Sequence, residues 1–84
     1  MQNSVLLVDD DASLLRLLSI RLEAEGYAVQ TAGSAEEAIQ VLRNDAVELM
    51  VTDLRMEGIS GLELFEQVRH FHPGLPVIIM SAQG

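Results

Sequence analysis

The chain contains no cysteine, no lysine and no apolar run of membrane-spanning length. Without cysteine there is neither a disulfide framework nor a thiolate metal site. A bilayer span needs about 20 consecutive apolar residues, and the runs here are far shorter. Met1-Gln2-Asn3 leads straight into an apolar run with no basic stretch before it, so no signal peptide is expected and the cytoplasm is the expected location. Five basic side chains, all arginine, face 13 acidic ones, for a formal net charge of −8. Phosphate backbones demand a basic patch, so neither nucleic acid nor a membrane is an expected direct partner of this segment. Cations are. Linkers, repeats and low-complexity stretches are also missing. A hydrophobic content of 49% argues for a folded core, organised as a single domain over residues 1–84.

What the chain does have is a set of short apolar runs, each stopping on an oxygen-bearing side chain. Ser4–Val8 ends on Asp9-Asp10-Asp11, Leu49–Thr52 on Asp53, and Val77–Met80 on Ser81. Their Val, Ile and Leu content suits strands buried on both faces of a parallel sheet. Between them lie helical patterns. Asp11 can cap a helix whose Leu14, Leu15, Leu18 and Leu22 form an apolar stripe before Gly26 stops it. Tyr27–Thr31 alternates like an edge strand. Ser34-Ala-Glu-Glu37 and Ser60-Gly-Leu-Glu63 have capping-box spacing. The helices they start carry Ala35, Ala38, Ile39 and Leu42, then Leu64, Phe65, Val68 and Phe71. Strands alternating with helices predict an α/β, flavodoxin-like parallel sheet with right-handed crossovers and helices on both faces. One reversal after the second strand gives the order 2-1-3-4. That order brings Asp9, Asp10 and Asp53 to one edge, where open α/β sheets place their chemistry.

Crowded carboxylates repel, and a proton or a cation must relieve them. Magnesium suits such a site because it takes oxygen ligands and retains waters. Its charge would let a phosphoryl group approach, and a carboxylate can then attack phosphorus to give an aspartyl phosphate. Asp53, alone on its strand end, suits the nucleophile; Asp9 and Asp10 suit the metal. The alternatives are plain: Asp9 and Asp10 as loop residues, Asp53 and Ser81 as turn residues. Asp11 reads as a helix cap in preference to a ligand. His70 and His72 read as solvent-facing, and Met50, Met56 and Met80 as packing residues.

Taken together, Leu7-Val8-Asp9-Asp10, Val51-Thr52-Asp53-Leu54-Arg55-Met56 with Gly61, and Leu75-Pro76-Val77 leading to Met80-Ser81-Ala82 resemble the CheY-like receiver domain of two-component response regulators. The Asp-Leu-Arg-Met segment is most similar to nitrogen-regulator-type transcriptional activators. The resemblance implies a phosphoacceptor and not a turnover enzyme. It makes Asp53 the acceptor from a sensor histidine kinase, with Mg2+ held by Asp9, Asp10, Asp53 and the backbone carbonyl of Arg55. Ser81 would hydrogen-bond a phosphoryl oxygen. Glu57 stands where the family usually has proline, which implies a looser loop. The family's active-site lysine lies on a fifth strand, and the chain contains no lysine. The resemblance therefore implies the N-terminal part of a receiver, without its final strand and last two helices. With no strand to follow it, Val77–Met80 is expected to drive homo-oligomer formation by strand pairing or element exchange. Two rival readings remain. One is a non-catalytic, self-associating fragment. The other is a haloacid-dehalogenase-type phosphatase, with Asp9 as nucleophile, Asp11 as acid–base and Ser81 as second motif; that family needs a lysine and a later acidic motif.

Overall fold

The computed structural model describes residues 3–80. Strands β1 (Ser4–Val8), β2 (Ala28–Ala32), β3 (Leu49–Asp53) and β4 (Val77–Met80) alternate with helices α1 (Ala12–Ala24), α2 (Ala35–Asn44) and α3 (Gly61–Phe71). The strands form one parallel sheet in the order β2-β1-β3-β4, as expected. No helix among the described residues is long and apolar enough to cross a membrane.

Side-chain alternation on β1 divides the core. Leu6 and Val8 face α2 and α3, packing with Ala38, Leu42, Met50, Leu64 and Val68. Val5 and Leu7 face α1 and meet Leu15, with Leu18 and Leu22 half-buried beside it. A strand buried on both faces must be apolar throughout, and residues 5–8 of β1 are all buried.

Several element boundaries differ by one residue from the sequence expectation, for identifiable reasons. The Tyr27 N–H donates to the Leu22 carbonyl (3.1 Å) and the Gly26 N–H to Glu23 (3.0 Å), closing a Schellman cap on α1. Gly26 supplies the positive φ, 98°, that this cap requires. Tyr27 is thus spent on the cap, and β2 begins at Ala28. At the far end the Ala32 carbonyl accepts from Asp9 N–H (3.1 Å), which extends pairing past Thr31. Likewise Leu54 N–H donates to the Met80 carbonyl (2.7 Å), keeping Asp53 within β3. Phe71, expected on the apolar face of α3, is 41% exposed, with the Arg43 guanidinium 5.7 Å from its ring centroid.

Candidate functional site

The acidic triplet after β1 divides its labour. Asp9 is 5% exposed, and its Oδ1 accepts the Asp11 N–H (2.9 Å), which turns the chain off the sheet. Asp11 Oδ1 then accepts from Ser13 N–H (3.0 Å) and Leu14 N–H (3.2 Å), starting α1. Asp11 is therefore the helix cap that its spacing suggested. Asp10, between them, is exposed and accepts at Oδ2 from the Glu57 N–H (3.1 Å).

Register brings Asp53 alongside. Val8 pairs with Thr52, so the next step along both strands sets Asp9 beside Asp53. Thr52 beneath is fully buried and its hydroxyl donates to the Asp53 carbonyl (3.1 Å). The α3 N-terminus closes under this strand end. Gly61 N–H donates to the Leu54 carbonyl (2.8 Å), and a Cβ at Gly61 would run into the Asp53 carbonyl. Only glycine permits that approach. Ser60 and Glu63 complete a full capping box above it, whereas at α2 the structure shows the Ser34 half of that motif.

Asp9, Asp10 and Asp53 each present a carboxylate oxygen within 4.8 Å of the others. No arginine among the described residues neutralises them; the ion pair there, Glu66–Arg69 at 3.8 Å, lies elsewhere on α3. The Asp9 carboxyl is pushed above its ordinary range, first by burial and then by the charges of Asp53, Asp10 and Asp11, while the Asp11 N–H opposes the rise. Three hard oxygen donors with uncompensated charge fit a hard divalent cation. Asp53 is half-buried, and among the described residues no donor reaches its carboxylate. That leaves its oxygens free for a metal or an electrophile.

The remaining candidates fall out as follows. Arg55 lies in the β3–α3 loop with its side chain exposed. Ser81 lies outside the described residues. His70 is exposed and His72 half-buried at the end of α3, and neither joins a metal-binding group among the described residues. Met50 is fully buried, and Met56 packs on the same core. The contribution of Glu57 was not legible in its side chain: its backbone N–H ties the loop to Asp10, where a looser loop was expected.

The sequence profile of the response regulator receiver domain matches residues 5–84. The transcriptional regulatory protein GlrR of Escherichia coli is 49% identical over 80 residues, covering 95% of this chain and 18% of that protein. The chain thus spans about a fifth of the length of such curated relatives. A response regulator receiver protein from Pseudomonas putida superposes with a TM-score of 0.92 at 36% identity, covering 96% of this chain and 69% of that one. The response regulator TrrA from Thermotoga maritima, crystallised in complex with Mg(2+)-BeF, gives 0.92 at 32% identity, with 99% and 72% covered.

Proposed function

The chain belongs to the response regulator receiver domain family of two-component signalling, and from that membership we propose that it accepts a phosphoryl group on Asp53 from the phosphohistidine of a sensor histidine kinase. The observation that supports this reading is the Asp53 carboxylate itself, at a strand end, half-buried and beside Asp9 and Asp10. An Asp53 oxygen forms a bond to phosphorus as the donor's P–N bond breaks, and the bonding pair leaves on the imidazole nitrogen. Asp9, Asp10 and Asp53, with the Arg55 backbone carbonyl, would hold Mg2+. Bound there, the ion would supply positive charge against the phosphoryl oxygens. Ser81 would donate its hydroxyl to one of those oxygens.

In this reading the domain is a phosphoacceptor that at most catalyses its own phosphorylation and dephosphorylation, in the cytoplasm. Its output is transcriptional, as the name of the GlrR relative suggests. Incubation with Mg2+ and acetyl phosphate, followed by intact mass and peptide mapping, tests the proposal. One phosphoryl group on Asp53, lost in Asp53→Asn, is expected. It should form slowly, because no lysine in these 84 residues meets the developing charge. Label on Asp9 would instead support a phosphatase, and no label a passive module; either overturns the assignment.

A further inference from the structure

Asp10 is the exposed member of the acidic group, and its neighbours Asp9 and Asp53 both repel it. An unrestrained carboxylate in that position would swing outward into water, where repulsion is screened. The structure shows what opposes this. The Glu57 N–H donates to Asp10 Oδ2 at 3.1 Å, joining loops 47 residues apart in sequence. The donor is itself held. Gly58, with φ 92°, lets the loop reverse immediately after Glu57, and the Gly61 N–H to Leu54 carbonyl bond (2.8 Å) shuts the loop against the end of β3.

We infer that Glu57 is a positioning residue, acting through its backbone N–H to hold Asp10 turned toward Asp9 and Asp53 so that the three carboxylates face one divalent cation. The inference rests on the metal reading proposed above. A carboxylate offers two oxygens with several lone-pair sites, so accepting this N–H does not exhaust its capacity for a metal. The bond strengthens cation binding by ordering a ligand before the ion arrives, as partners of metal ligands generally do. The Glu57 side chain is not required. Its carboxylate is exposed, and any residue with an N–H can serve. The proline usual at this position in the family cannot, so the tether is a feature of this chain that tightens the site and not a condition for metal binding in the family.

The test compares Glu57→Ala with Glu57→Pro. Both lose the carboxylate, but proline alone lacks the N–H. Titration of the 84-residue chain with Mg2+ should show the Pro variant binding about tenfold more weakly than the Ala variant, and Glu57→Gln should stay with Ala. Equal affinities in the Ala and Pro variants overturn the inference. A second readout needs no variant at position 57 and no metal. In the metal-free protein the Glu57 amide should be protected from hydrogen exchange, and Asp10→Ala should abolish that protection. An amide that exchanges freely, or is indifferent to Asp10→Ala, overturns the inference even if the Pro variant fails to fold. Absence of Mg2+ binding by the wild-type chain would bring down the metal reading separately, leaving the tether to be judged by the amide.

Discussion

A single methyl group at Gly61 should damage both the stability and the site. A Cβ built there lies 3.1 Å from the Asp53 carbonyl carbon and 3.2 Å from Leu54 Cα, and closer still to the Asp53 carbonyl oxygen. Comfortable separations are about 3.5–4.0 Å, so α3 and the end of β3 must part by on the order of 1 Å. Every obstructing atom is backbone, and no rotamer change can relieve the clash. Overpacking of this kind costs about 1–3 kcal/mol. The rigid obstruction argues for the upper end, and the better helical propensity of Ala returns at most about 1 kcal/mol. A net loss of about 2 kcal/mol follows, equivalent to a fall in Tm of roughly 10 °C for a domain of this size. Because the displaced atoms belong to Asp53 and Leu54, Mg2+ affinity should fall as well. Gly74→Ala is the control: nothing lies within 4 Å of its Cβ and its φ is not positive. That change should be neutral, or stabilising by up to about 1 kcal/mol. Urea denaturation and Mg2+ titration of both variants decide the matter. A Gly61→Ala protein as stable as Gly74→Ala would refute the steric argument.

Three further outcomes are expected. The folded-state pKa of Asp9 lies above its ordinary 3.8, so its contribution to stability is present below that pH and lost as pH rises through the folded pKa. With divalent ions chelated, Asp9→Asn should therefore be more stable than wild type at about pH 7, the gap closing below about pH 4; an Asn variant less stable at neutral pH would contradict this. Replacing Ser60 and Glu63 together by Ala removes both arms of the α3 capping box, the Glu63 N–H to Ser60 hydroxyl bond (3.2 Å) and the Ser60 N–H to Glu63 carboxylate bond (3.1 Å), and should cost about 1 kcal/mol in urea unfolding. Ser34→Ala, which removes a single bond, should cost no more, and the reverse ranking would count against the capping account. Finally, β4 is an outer strand of the described sheet and its Ile78 is 51% exposed, so sedimentation of the 84-residue chain at micromolar concentration should detect self-association, reduced by Ile78→Lys. A monomer throughout would remove that expectation.

The features legible in the sequence are those set by short-range rules. Asp11 as a cap, Gly26 as a helix stop and Ser60-Gly-Leu-Glu63 as a capping box depend on spacings of a few residues, and the structure forms each of them. The meeting of Asp9 and Asp53 was legible for a different reason. Buried parallel strands must end on one edge, and a single reversal of direction makes β1 and β3 neighbours. Less visible was anything decided by the path of a loop. Phe71 has the periodicity of a core residue, yet α3 ends as it leaves the core, and the ring meets Arg43 at the surface. Glu57 is the sharper case. Side-chain chemistry makes it one more solvated acid near an already negative site, a poor neighbour for Asp10. Its backbone amide carries the opposite polarity, and the turn at Gly58 decides that this end of the residue reaches the carboxylate. A residue that looks repulsive in sequence thus helps hold together the charges it should disperse, because the fold presents its N–H inward and leaves its carboxylate exposed to water.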